Sequence, residues 1–136
     1  MAKKRVLIID DEELSREVIS FDLRDTFHCD MAVNAFDAYE KILQAVNNRT
    51  PYDIITLDEF MGGGMDGLAF LKIIRICEKY IPSMTGHRLN CVIISGLESE
   101  AYLKRMYKIT MDDGSIYFKK PFEGGELLKA INEKFS

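Results

Sequence analysis

Four short runs rich in β-branched residues, Val6-Leu7-Ile8-Ile9, Ile54-Ile55-Thr56-Leu57, Cys91-Val92-Ile93-Ile94 and Ile116-Tyr117-Phe118, each lead directly into polar side chains. Runs that are nearly continuous in apolar residues, rather than alternating, suit strands covered on both faces, as in a parallel sheet sandwiched between helices. The polar residues at their carboxyl ends are Asp10, Asp11, Asp58, Ser95 and Lys120. If the runs are neighbouring parallel strands, these five side chains converge on one rim, where open α/β sheets bind ligands. Three carboxylates, a hydroxyl and an ammonium form a set suited to a divalent cation and a phosphoryl group.

The chain has 136 residues, of which 47% are hydrophobic and 29% charged. That composition is an ordinary globular one and the length implies a single domain with a real core. A net charge of −4 argues against a nucleic-acid-binding surface, which needs a basic face. No apolar run approaches the roughly 20 residues that span a bilayer. Met-Ala-Lys-Lys-Arg leads into a strand rather than a signal peptide. Cys29, Cys77 and Cys91 are odd in number and lack metal-ligand spacing, so they are expected to be free buried thiols. A cytoplasmic protein without membrane or nucleic-acid contact is the expectation.

Strand-length runs alternate with segments of helical period. Strands are expected at 5–10, 29–33, 53–58, 90–95 and 115–118, the second being more polar and hence an edge strand. Five helices are expected to carry apolar stripes: Leu14, Val18, Phe21; Ala35, Ala38, Ile42, Ala45; Leu68, Leu71, Ile74; Tyr102, Met106, Ile109; and Leu127, Ile131, Phe135. Two connections are long or soft, Gly62-Gly63-Gly64 and 81–89.

Each polar residue also has an ordinary explanation. Asp10-Asp11 before a helix can simply cap it. Asp58, followed by the glycine-rich segment that begins at Glu59, can be a turn former. Two or three acids at one rim, however, suffice for a hard cation that keeps several waters. Along the last strand Tyr117 and Lys119 share one orientation, Phe118 and Lys120 the other. Lys120-Pro121 is a candidate for a sharp turn that aims the ammonium inward. His28 and His87 are unaccompanied and read as structural or surface residues, as do Tyr39, Tyr52, Tyr80 and Tyr107.

Taken together, Ile8-Ile9-Asp10-Asp11-Glu12, Pro51 to Asp58, Met65-Asp66-Gly67, Val92-Ile93-Ile94-Ser95-Gly96 and Tyr117-Phe118-Lys119-Lys120-Pro121-Phe122 resemble the receiver domain of two-component response regulators, with the length of stand-alone chemotaxis-type members. The resemblance implies a single (βα)5 flavodoxin-like domain over 1–136, a five-stranded parallel sheet in order 2-1-3-4-5 and helices on both faces, with no output domain expected within these 136 residues. It implies that Asp58 is the phospho-acceptor, supplied by a sensor histidine kinase or histidine phosphotransfer protein. Asp11, Asp58 and the backbone carbonyl of Phe60 would hold Mg²⁺, with Asp10 acting mainly through bound water. Lys120 would assist transfer. Ser95 and Tyr117 would switch, repacking the fourth helix, fifth strand and fifth helix for a downstream protein. Phe60 and Leu97 would flank the path of attacking water. Such a domain catalyses its own phosphotransfer and dephosphorylation without being an enzyme in the turnover sense, and is a monomer or a phosphorylation-dependent dimer.

The chain departs from the family pattern at Gly62, where proline is usual, in an acceptor-to-Asp66 spacing one residue longer, at Ser95-Gly96, and in the extended loop 81–89. None of these touches the acids or Lys120. Two other functions compete. A haloacid-dehalogenase-type phosphatase would use Asp10 as nucleophile, but its second acid is Glu12 here, and Asp112-Asp113 precedes Lys120 instead of following it. A binding-only receiver would be expected to have lost one of the five polar residues, all of which are present.

Overall fold

In the computed structural model, which describes residues 3–59, 65–96 and 99–135, strands and helices alternate along the chain. The strands are β1 (Arg5–Ile9), β2 (His28–Ala32), β3 (Ile54–Asp58), β4 (Asn90–Ser95) and β5 (Ile116–Lys119). The helices are α1 (Glu13–Leu23), α2 (Ala35–Asn47), α3 (Gly67–Tyr80), α4 (Glu100–Asp113) and α5 (Glu126–Phe135). All strand pairs are parallel and their order is β2-β1-β3-β4-β5. The expected fold, strand order and edge position of the second strand are therefore observed.

Strand alternation divides the core into two layers. Leu7, Ile9, Ile55, Leu57, Cys91, Ile93 and Tyr117 pack with α2, α3 and α4. Val6, Ile8, Ile54, Val92 and Ile94 pack with α1 and α5, and Phe118 joins them. Because both faces are covered, β1, β3 and β4 are apolar almost throughout. Four of the five expected helix stripes contribute residues to these layers.

The first helix differs. Leu14, Val18 and Phe21 are exposed, at 74%, 48% and 69%, and the face that packs is Ile19 and Leu23. α1 has two apolar stripes, and hydrophobic period alone does not rank them. The chosen stripe is the one that faces outward.

The connections are fixed by local chemistry. Asp66 caps α3 by accepting the Ala69 N–H at 2.7 Å. Gly67 opens that helix so close to the end of β3 that a Cβ would stand 2.7 Å from the Asp58 carbonyl oxygen. The 81–89 connection includes a single 3-10 turn, Pro82–Met84. The Lys120–Pro121 peptide is cis. Gly62-Gly63-Gly64, Phe60 and Leu97 lie outside the described residues.

Candidate phosphoryl and metal site

The carboxyl ends of β1 and β3 are adjacent, and this brings the acids together. One oxygen from each of Asp10, Asp11 and Asp58 lies within 4.8 Å of the others. Asp10 is 1% exposed, Asp11 is exposed and Asp58 is mostly buried. Asp10 is held on several sides. Its Oδ1 accepts the Glu12 N–H at 2.9 Å, its Oδ2 faces the Lys120 ammonium at 3.2 Å, and its carbonyl accepts from Arg16 at 2.8 Å. It therefore orders the start of α1 and also contributes to the acid cluster.

Lys120 reaches into this crevice from the end of β5. Its Nζ lies 3.8 Å from Asp58 Oδ1 and donates to Ser15 Oγ at 3.3 Å. The Lys120 N–H donates to the Ser95 carbonyl at 2.8 Å, tying the ends of β4 and β5 together. Ser15 carried no signal in the sequence beyond its place one turn into α1.

The set is suited to a hard cation. Three carboxylates against one ammonium leave a net negative crevice, and oxygen donors at a solvent-facing rim match a small divalent ion that retains waters. Among the described residues no other group of three His, Cys, Asp or Glu side chains is arranged to hold a metal. His28 and His87 each pair with one aspartate, Asp30 and Asp53, away from this crevice.

Ser95 is fully buried and shares its strand face with Ile93 and Cys91, so it belongs to the α3–α4 layer together with Tyr117. Tyr117 is 5% exposed, and Tyr107 of α4 packs edge-on against it at 5.1 Å. The rim thus has two sides. Asp10, Asp58 and Lys120 follow the alternation of the α1–α5 face, while Ser95 and Tyr117 follow that of the α4 face.

Two residues near the site have no site role in the sequence reading, which places Tyr102 only in a helix stripe. Glu59, at the start of the glycine-rich segment, is 4% exposed and wedged between α3 and α4. Burial raises its carboxyl above the ordinary range, and the nearby Tyr102 hydroxyl opposes that shift. The available signal was parity, since Glu59 follows Leu57 by two and must point into the same layer. Tyr102 is the other, with its hydroxyl buried beside Glu59.

The acid pair that a dehalogenase-type site needs is elsewhere. Asp113, at the end of α4, is bound by Arg75 at 3.0 Å and by the Ser115 hydroxyl, before β5 begins and so away from the rim that carries Asp58. The three thiols are free. Cys91 is buried as expected, but Cys29, on the edge strand β2, and Cys77, on α3, are only half-buried. Burial pushes the Cys91 thiol up to about 12, far from a reactive thiolate. No helix among the described residues is long and apolar enough to cross a membrane.

The response regulator receiver domain model matches residues 6–132. This chain belongs to the response regulator receiver domain family. An NtrX-like response regulator of Rickettsia conorii is 33% identical over 130 residues, which are 94% of this chain and 24% of that protein. The receiver therefore spans about a quarter of that relative's length. Among solved structures, NtrX from Brucella abortus is 26% identical with a TM-score of 0.69, covering 98% of this chain and 27% of that one. The chemotaxis protein CheY4 of Vibrio cholerae shares the fold, with a TM-score of 0.73 at 24% identity, over 98% of this receiver and the whole of that chain.

Proposed function

We propose that Asp58 accepts a phosphoryl group and that this receiver is a switch thrown by that modification. The reading is carried by one arrangement: the oxygens of Asp10, Asp11 and Asp58 within 4.8 Å of one another, with the Lys120 ammonium 3.8 Å from Asp58. The donor set fits Mg²⁺, which Asp11, Asp58 and the Phe60 carbonyl would hold, with Asp10 acting through bound water. When bound, the ion supplies charge neutralisation for the phosphoryl oxygens.

The chain's own residues account for the rest. Asp58 provides the attacking carboxylate oxygen, and the phosphorus leaves the nitrogen of a phosphohistidine, or the acyl oxygen of a small donor, as the new bond forms. Lys120 sits where charge develops on the transferred group, which is most of what phosphoryl transfer requires of a protein. Ser95 then donates to a phosphoryl oxygen, and Tyr117 and α4 repack on the face made by α4, β5 and α5. The domain catalyses its own modification and its reversal, with no separate substrate turned over.

A protein donor, either a sensor histidine kinase or a histidine phosphotransfer protein, is supported by the surface beside the crevice. Exposed Leu14 and Val18 on α1 face Pro121 and Phe122 across a hollow of about 210 Å³ that Lys120 also lines. An apolar floor next to a charged acceptor is an unusual thing to leave in water, and suits a docked helix face.

The test is labelling by acetyl phosphate. Label should appear on wild type only with Mg²⁺ and should be absent from Asp58→Asn. Undiminished labelling of Asp58→Asn would overturn the assignment of the acceptor.

A further inference from the structure

On the α3–α4 side of the rim lies a polar cluster of which the proposed switch uses only Ser95 and Tyr117. Glu59 directly follows the acceptor, and its backbone is clamped: its N–H donates to the Ile94 carbonyl at 3.0 Å and its carbonyl accepts the Gly67 N–H at 2.9 Å. Its carboxylate is within hydrogen-bonding reach of the Leu68 N–H, in the first turn of α3, and of the Tyr102 hydroxyl, in the first turn of α4. Tyr102 is also within reach of Ser95. Tyr117 in turn is within reach of Ser95 and Tyr102, and the two tyrosine rings meet edge to face at 6.3 Å.

These groups lie close together, and three of them carry an atom that is not well paired. Glu59 Oε2, Tyr102 Oη and Tyr117 Oη are all buried without a partner of good hydrogen-bond geometry among the described residues. A buried polar atom left in that condition is destabilising, because its lost hydration is not replaced. The cluster is therefore set to gain from any rearrangement that gives the tyrosine hydroxyls a definite acceptor.

We propose that Glu59 is a positioning residue of the switch: it takes the Tyr102 hydroxyl, and with it the first turn of α4, when Ser95 turns to the phosphoryl group on Asp58. Ser95 has one hydroxyl proton, and its commitment to a phosphoryl oxygen removes it from the shared arrangement with the two tyrosines. Glu59 is the carboxylate within reach of Tyr102, and its Oε2 is a buried acceptor that no donor among the described residues fills. The same carboxylate touches the start of α3, so the link joins both helices behind the acceptor. The competing explanation is that Glu59 only caps α3 through Leu68, a role that glutamine could also fill.

The inference rests on phosphorylation of Asp58, so the experiment reads both events separately. The protein is labelled with 3-fluorotyrosine and observed by ¹⁹F NMR with Mg²⁺, before and after beryllofluoride, a stable phosphoryl mimic whose own fluorine signal reports binding. Wild type should bind the mimic and shift both the Tyr102 and Tyr117 signals, assigned with Tyr102→Phe and Tyr117→Phe. Glu59→Leu should bind the mimic but lose the Tyr102 shift. Glu59→Gln, which keeps the shape and the cap on Leu68 but replaces the second acceptor oxygen by an NH2 donor, should lose at least half of it. A full Tyr102 shift in either variant overturns the role of Glu59. Failure of wild type to bind the mimic overturns the phosphorylation reading beneath it.

Discussion

The ammonium of Lys120 stands 3.2 Å from one oxygen of Asp10, while the other oxygen of that carboxylate accepts the Glu12 N–H at 2.9 Å. Capping and site chemistry, which look like alternatives in the sequence, are thus served by opposite sides of one side chain. Removing Lys120 leaves the buried Asp10 and its neighbours with their like charges unopposed. Lys120→Ala should therefore fold, but be destabilised by about 1–2 kcal/mol in EDTA, with Mg²⁺ restoring most of the loss. Thermal unfolding with and without Mg²⁺ measures this. A loss that Mg²⁺ does not restore would mean the lysine acts through packing alone.

Asp11 is exposed and belongs to the acid cluster without being part of the core. Its removal should change stability by no more than about 0.5 kcal/mol, as for most surface substitutions. The response to Mg²⁺ should nevertheless disappear. Titration of wild type should perturb NMR signals of residues 9–12 and 57–59, whereas Asp11→Ala should be silent over the same range; an unchanged titration would remove Asp11 from the metal site.

The outward stripe of α1 should matter to a protein donor and not to a small one. Leu14→Ser with Val18→Ser is expected to reduce phosphotransfer from a histidine-bearing partner at least tenfold, about 1.4 kcal/mol. Labelling by acetyl phosphate should remain within twofold of wild type, because neither side chain belongs to the acid cluster. Equal loss with both donors would place the effect in the fold of α1.

What could be read from the sequence follows from how strongly each element is specified. β1, β3 and β4 are buried on both faces, so their apolar runs were unambiguous, and the polar residues that end them marked the rim. α1 offered two apolar stripes, Leu14-Val18-Phe21 and Ile19-Leu23, and only packing against the sheet selects between them. Glu59 was hidden by its neighbours. An acid between an acid and a glycine-rich segment looks solvated, although strand parity with Leu57 turns it inward. The link between Arg75 and Asp113 could not be foreseen, since it joins residues 38 positions apart on two helices.

That link gives a pH prediction. Burial raises the Asp113 carboxyl, but the Arg75 guanidinium and the Ser115 hydroxyl more than offset this and hold it below its ordinary value of 3.8. The folded state thus binds the proton more weakly than the unfolded chain does. The stability contributed is fully present above pH 3.8 and is lost as pH falls through the depressed folded value. Arg75→Met should cost about 3 kcal/mol at pH 7, because it removes the main charge partner of the largely buried Asp113 and Glu78. In Asp113→Asn the loss of stability below pH 4 should be shallower than in wild type, as followed by urea unfolding across pH. An identical acid limb would assign acid sensitivity to other carboxylates.

The lifetime of the phosphorylated state should be set by two apolar residues, Phe60, two positions after the acceptor, and Leu97, two positions after Ser95. We propose, from the receiver resemblance, that these positions would flank the line along which water approaches the phosphorus. Neither side chain can orient or deprotonate a water, as Asn, Gln or Glu could, and both are bulky enough to exclude it. The aspartyl phosphate should therefore decay slowly. Phe60→Asn and Leu97→Glu should each speed the decay at least threefold, measured as loss of label from purified phosphorylated protein after removal of the donor. Equal or slower decay in both variants would show that neither residue controls access, and that the backbone around the acceptor does.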